Sequence, residues 1–162
     1  MSATTSATSG RAVPGAPAGI DPRGPRVVAT VTAIVLAVAL LTAPSAVTIG
    51  LLAFQALVFA IGALRGVQHT PYSWLFRALV RPRLGPPAEL EDPAPPRFAQ
   101  GVGLGFALVA LVGYLGGAPL VGALATGAAL AAAFLNAAFG LCLGCEMYLL
   151  GKRLLPTRAT AH

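Results

Sequence analysis

The chain has 162 residues, of which 56% are hydrophobic and only 10% are charged, and its formal net charge is +6. Soluble domains usually contain about a quarter charged residues, so this composition excludes an ordinary water-soluble domain and indicates an integral membrane protein. A basic excess can also indicate a nucleic-acid binder, but every lysine and arginine here lies outside the long apolar runs. We therefore expect a lipid bilayer, and no nucleic acid, as a partner.

The first part of the chain predicts a disordered tail followed by a helical hairpin. Residues 1–22 are small, polar and proline-rich, and cannot bury enough apolar surface to fold. Residues 27–64 carry no charge, and as one helix these 38 residues would be roughly 57 Å long, about twice the thickness of a bilayer core. The sequence Thr-Ala-Pro-Ser at 42–45 interrupts this run, which predicts two spans, 27–43 and 46–64.

The central segment predicts an amphipathic helix at the membrane surface. Thr70 can cap a helix over 70–81, and the proline that follows suits its first position. Ser73, Arg77 and Arg81 recur every four residues as a polar stripe, and Trp74 and Phe76 are expected to face lipid. Residues 82–96 contain six prolines and predict an extended linker.

The second uncharged run, 98–145, predicts two further spans at 99–115 and 120–143, separated by Gly-Gly-Ala-Pro at 116–119. The four-helix transmembrane domain then covers residues 23–152, and a short tail covers 153–162. Pro-Arg, an apolar run and Ala-Pro occur in the same order in both halves. This order indicates either two repeated hairpins or a chance alignment of similar membrane sequences. The fold class is all-α, and a homo-oligomer is compatible with it.

The distribution of basic residues predicts the orientation in the membrane. All eleven lie before the first span, in the central segment, or after the last span, and the turns near 44 and 117 carry none. Lysine and arginine in short flanking segments remain on the cytoplasmic side. An even number of spans therefore places both termini and the central segment in the cytoplasm.

Cys142 and Cys145 are the only cysteines, and a Cys-x-x-Cys pair at the cytoplasmic boundary is the strongest chemical candidate in the chain. On a helix the two sulfur atoms share a face, which permits a reversible disulfide. The spacing also suits half of a zinc site, but two histidines and no second cysteine pair make a closed metal site improbable. We predict no metal and no cofactor. The alternative is that both cysteines are apolar filler.

Four other residues are candidates for supporting the cysteines. At the C-terminal end of the fourth helix a thiolate would be disfavoured, unless Gly140 or Gly144 breaks the helix, or Arg77, Arg81 or Lys152 approaches in space. Asn136 can line the same cavity as Cys142. Glu146 is expected either to affect the thiols or to pair with a nearby lysine or arginine.

Several stretches resemble the bacterial membrane family known as domain of unknown function 4395. The main one is Phe-Leu-Asn-Ala-Ala-Phe-Gly-Leu-Cys-Leu-Gly-Cys-Glu-Met-Tyr at 134–148, which fits a pattern FLNAxFGxCxGCxxY; 21–26, 81–92 and 97–103 also resemble the family. The resemblance implies a multi-span membrane protein, typical of actinobacteria, without an established activity. It also implies genes for thioredoxin-like and rhodanese-like proteins nearby, which favours thiol or sulfur chemistry at Cys142 and Cys145.

We therefore predict a cytoplasm-facing thiol–disulfide or sulfur-relay protein with a soluble thioredoxin-like or sulfurtransferase-like partner. The sequence leaves open whether it is an enzyme. A transporter or channel subunit for a small sulfur compound and a structural membrane partner without chemistry are the alternatives. A quinone-linked disulfide-forming oxidase is disfavoured, because such four-helix enzymes normally use additional loop cysteines and this chain has none.

Overall fold

The protein is an all-helical bundle, as predicted. The computed structural model describes residues 19–85 and 90–154. Four of its helices are 19 to 22 residues long and apolar enough to cross a membrane, which confirms the predicted four-helix membrane fold. The helices are α1 (Arg23–Leu41), α2 (Ala46–Arg65), α3 (Pro71–Leu75), α4 (Ala94–Leu115), α5 (Pro119–Phe139) and α6 (Leu143–Leu154).

The four long helices form a closed ring in which α1 contacts α2 and α5, and α4 contacts α2 and α5. Small side chains fill much of the centre, as with Ala39, Ala110 and Ala129 beside Leu36 and Leu52. Because lipid is as apolar as leucine, helices in a bilayer associate by close packing rather than by the hydrophobic effect. The large aliphatic side chains accordingly point outward from the bundle into the lipid region, including Ile34, Leu57, Val112, Leu120 and Leu124.

The central segment packs more tightly than the sequence predicted. Thr70 caps α3 by accepting a hydrogen bond from the Ser73 amide at 3.3 Å, as expected. A π-helical turn (Phe76–Val80) and a 3-10 turn (Arg81–Arg83) then continue the helix. The prediction that Phe76 faces lipid is wrong, because its ring is 4% exposed and lies against Gly24 of α1. Ser73 is buried as well, whereas Trp74 is exposed.

A buried polar chain ties this segment to the bundle. The Tyr72 hydroxyl donates to Gln55 Oε1 at 2.9 Å, and Gln55 Nε2 donates to Thr32 Oγ1 at 3.5 Å. Gln55 is fully buried, so these bonds satisfy an amide that would otherwise be costly to place inside the bundle. The segment is therefore anchored to α1 and α2 rather than resting loosely on the surface.

The expected tails and linker fall partly outside the described residues: residues 1–18 of the N-terminal tail, 86–89 of the linker, and 155–162 at the C terminus. Ile20, within the segment expected to be disordered, instead forms an antiparallel bridge with Glu91, with hydrogen bonds of 2.9 and 3.0 Å. Ile20 is 8% exposed and packs with Val28 and Tyr72. Burial of this apolar side chain holds the residues just before α1 against the bundle.

The fourth long helix is shorter than the predicted span. It ends at Phe139 and not at residue 143, because Gly140 adopts a left-handed backbone with φ of +71°. A separate helix, α6, starts at Leu143 and packs mainly on α4. The two cysteines therefore lie beyond the end of α5.

Candidate functional site

The site begins at the helix break after α5. Gly140 ends this helix in the left-handed conformation that glycine adopts most readily. The Arg26 guanidinium, at the start of α1, donates to the carbonyls of Ala137 and Ala138 at 3.5 Å each. A cation at a helix C-terminus complements its partial negative charge. The break is thus supported by local backbone preference and by a neighbouring helix.

The thiol pair, Cys142 and Cys145, occupies the first turn of α6. The Cys142 carbonyl accepts the Glu146 amide at 3.0 Å, which is the first hydrogen bond of that helix. Cys142 is therefore the N-cap residue, and Cys145 is the third residue of the helix proper. Backbone N–H groups at this end of a helix have no partner within the helix. The Gly144 and Cys145 amides belong to this set, and they favour the ionised form of the Cys142 thiol.

This placement separates the acidities of the two thiols. A hydrogen bond from the Cys145 thiol, with further bonds from the Cys145 and Gly144 amides, lowers the pKa of Cys142 to about 7 against the opposing effect of burial. The same hydrogen bond, together with burial, raises the pKa of Cys145. Cys142 is consequently the more acidic of the two thiols.

The rest of the motif packs α6 onto α4. A Cβ atom on Gly144 would lie 2.6 Å from the Cα atom of Ala99, so only glycine allows the two backbones to approach this closely. One turn further on, the rings of Tyr148 and Phe98 stack at a tilt, with centroids 5.8 Å apart. These contacts hold the residue between the two cysteines against a long helix, which makes the first turn of α6 a fixed element.

Both cysteines line a cavity of about 360 Å³ that reaches into the bundle. Its walls come from α1, α2, α4 and α5, and α6 lies across one end. The lining is mostly apolar and includes no charged side chain among the described residues. We call this space the thiol cavity; its polar lining side chains, apart from the cysteines, are Thr32, Gln100 and Asn136.

The predicted supporting residues divide into two groups. Asn136 lines the thiol cavity with Cys142 and Cys145. Glu146 lies in the first turn of α6. Its negative charge opposes the lowering of the Cys142 pKa and adds to the rise of the Cys145 pKa. It forms no ion pair within the described part of the chain.

The two predicted arginines are engaged elsewhere. Arg77 donates to the Gln68 carbonyl at 2.7 Å, and the charge of Arg81 acts on Asp21. Neither arginine lines the thiol cavity. Lys152, the third cation considered, lies over the Tyr148 ring at 5.6 Å. The low pKa of Cys142 is therefore supplied by helix amides and a thiol rather than by a cation.

Two residues of the site were missed by the sequence reading. Gln100, on α4, lines the thiol cavity, and its Oε1 atom is buried without a hydrogen-bond partner. Arg26 was assigned only to the basic flank of the first span, whereas it caps α5 from across the bundle. A glutamine within an apolar run was the available signal for Gln100. No local pattern could pair residue 26 with residues 137 and 138.

The comparisons with known proteins give one finding. The model of a family described as "Domain of unknown function (DUF4395)" matches residues 20–153. No curated protein and no solved structure matches the chain at a significant level. The match covers all six helices except the last residue of α6, so the thiol pair and the cavity lie within the family's domain.

Proposed function

This chain belongs to the DUF4395 family, whose description names no activity, and we propose from the geometry of its site that it is a membrane thiol–disulfide exchange protein. One observation carries the proposal: the break at Gly140 puts a Cys-x-x-Cys pair in the first turn of a 12-residue helix, with both cysteines lining one cavity. Reactive cysteines are typically found at helix N-termini, where amides stabilise the thiolate.

The two cysteines take different roles in the proposed reaction. The Cys142 thiolate attacks one sulfur of a partner's disulfide, forming a mixed disulfide and releasing the other sulfur as a thiolate, which takes up a proton. Cys145 then loses its proton and attacks Cys142, forming the internal disulfide and releasing the partner's second thiol. Two electrons pass from the protein to the partner. The reverse sequence regenerates the dithiol at the expense of a reduced partner.

The acidities support this division. A nucleophile that is about half ionised at neutral pH combines a useful thiolate fraction with retained nucleophilicity. The resolving thiol needs to stay protonated until the mixed disulfide forms. The directions of the two pKa changes, downward for Cys142 and upward for Cys145, match these needs.

The proposal includes a partner and an orientation. A soluble thioredoxin-like or sulfurtransferase-like protein on the cytoplasmic side of a bacterial plasma membrane is the expected partner. The end of the bundle that carries the thiol pair also carries Arg26, Arg65 and Arg97, because α1 and α4 begin there and α2 ends there. The positive-inside rule favours this end as the cytoplasmic one.

Trapping of a mixed disulfide tests the proposal. The Cys145→Ser variant is expected to accumulate an adduct with an oxidised thioredoxin, because the resolving thiol is absent. The Cys142→Ser variant is the matched control and is expected to form none. Adduct formation is measured by non-reducing electrophoresis of the full-length protein in detergent. Equal adduct yields from both variants, or none from either variant, would contradict the proposed roles.

Labelling tests the orientation separately. A membrane-impermeant maleimide is expected to modify the reduced pair in inverted membrane vesicles but not in intact cells. Labelling in intact cells would place the site on the opposite side, whatever the outcome of the trapping experiment.

A further inference from the structure

The thiol cavity has a size and a lining that the exchange reaction with a soluble protein leaves unexplained. Cavities that hold small ligands usually measure roughly 300–1,000 Å³, and this one is about 360 Å³. On α5 its lining runs from Ala128 to Asn136, which corresponds to a depth of roughly 12 Å along the helix. The cavity therefore has the dimensions of a small-molecule site.

The lining selects the chemical class of that molecule. Because the described lining residues carry no charge and are mostly alanine, valine, glycine and phenylalanine, the ligand is neutral and apolar. The walls belong to helices that span the membrane, so a lipid-soluble compound can enter from the bilayer. The rings of Phe59 and Phe106 border the cavity and offer faces or edges to a flat ring.

Two carboxamides determine which polar groups the ligand needs. Gln100 and Asn136 both line the cavity, on α4 and α5 respectively. A carboxamide can donate through its NH₂ group and accept through its oxygen. The Gln100 oxygen is buried against Gly62 of α2 and has no partner, so Gln100 can meet a ligand only through its NH₂ group, whereas Asn136 can use both of its polar atoms. A ligand that alternates between carbonyl and hydroxyl groups would use both functions of such an amide.

We propose that the thiol cavity binds a quinone, which accepts electrons directly from the Cys142–Cys145 dithiol. This inference rests on the proposed thiol exchange and names the membrane-soluble substrate of the same site. The Cys142 thiolate adds to a ring carbon, and the electron pair moves to a ring oxygen, which is protonated. Cys145 then loses its proton and attacks the Cys142 sulfur. The S–S bond forms, the carbon–sulfur bond breaks, and hydroquinone leaves.

The reaction balances without a further reactant. The two thiols lose two electrons and two protons, and the quinone gains two of each. A quinone-linked oxidase is disfavoured on sequence grounds because the chain has no cysteines besides this pair. Here one pair both borders the cavity and lies outside the spans, so a single Cys-x-x-Cys can serve the soluble partner and the quinone in turn.

Cavity-filling variants provide the test. The reduced full-length protein, in detergent, is mixed with menadione or a decyl-substituted benzoquinone, and hydroquinone formation and loss of free thiols are followed. The rate is expected to saturate with quinone concentration. Ala132→Leu fills the cavity and is expected to raise the KM about tenfold, corresponding to about 1.4 kcal/mol of lost binding. Ala131→Leu changes the adjacent residue of α5, which is exposed and outside the lining, and is expected to leave the KM unchanged.

A second pair of variants tests the quinone site in case Ala132→Leu fails to fold. Gln100→Leu and Asn136→Leu each remove hydrogen-bonding groups and are expected to raise the KM about two- to tenfold. A linear, non-saturating reaction with the same rate in all variants would overturn the quinone site, since exposed thiols react with quinones in that way. If quinone reduction by the dithiol fails while Cys145→Ser still traps thioredoxin, this inference alone falls; if trapping also fails, the proposed function falls with it.

Discussion

Replacing Gly140 with alanine is expected to disturb the break that places Cys142 at the start of α6. An alanine in the left-handed conformation costs about 1–2 kcal/mol, and alanine favours a continuous helix by roughly another 1 kcal/mol over glycine. Together these effects favour extending α5 through residues 140–142, against the packing of α6 on α4. An extended α5 would remove the free amides from the Cys142 sulfur.

The size of the effect follows from the acidity of Cys142. If its pKa rises from about 7 to the ordinary 9.0, the thiolate fraction at pH 7 falls from about one half to about 1%. A more basic thiolate is also the better nucleophile, by roughly eightfold over two pKa units. Alkylation at pH 7 should therefore slow by about sixfold, and the midpoint of its pH profile should rise.

The assay is the rate of iodoacetamide modification of Cys142 against pH in the protein with both cysteines present, followed by mass spectrometry that assigns the modification to Cys142 or Cys145. Gly127→Ala is the matched control, because Gly127 lies within α5 and a Cβ there meets nothing within 4 Å. Gly140→Asn should give an intermediate profile, since asparagine tolerates the left-handed region. An unchanged profile in Gly140→Ala would refute the conclusion that this glycine maintains the break.

Three further predictions concern stability. Gly144→Ala is expected to lower the free energy of unfolding by about 1–3 kcal/mol, because its Cβ would overlap Ala99. Gly151→Ala changes a glycine of the same helix that has open space around it, and it should not lower the melting temperature in thermal unfolding. Equal melting temperatures for Gly144→Ala and the parent protein would contradict the close contact. Tyr72→Phe should cost about 1–3 kcal/mol by leaving the Gln55 oxygen without its donor, and a melting temperature like that of the parent would show that the bond contributes little. In the reduced protein, the lowered pKa of Cys142 contributes stability that is fully present above the unfolded pKa near 9, and this contribution is lost as the pH falls through about 7. The melting temperature should therefore rise from pH 7 towards pH 9 relative to that of Cys142→Ser. Parallel curves for the two proteins would argue against an ionised Cys142.

The sequence determined the class of protein and the number of spans. The two uncharged runs are longer than a bilayer is thick, and each is interrupted by a proline-containing turn. Two helical crossings per run are therefore the solution that satisfies every backbone hydrogen bond. The start of the helix after Thr70 was also visible through the Thr70 cap. These features depend on local chemistry and on the surrounding lipid, so they can be predicted from residues that are neighbours in the chain.

Only the tertiary structure decided how the thiol pair is presented. The sequence placed Cys142 and Cys145 near the C-terminal end of a helix, with a break at Gly140 or Gly144 as an open alternative; the structure puts the break at Gly140 and the pair at the start of the next helix. Arg26 supports that end from another helix. The thiol cavity is lined by five helices, so its shape depends on how their surfaces pack against one another. The local sequence of each helix does not specify which distant residues it will contact.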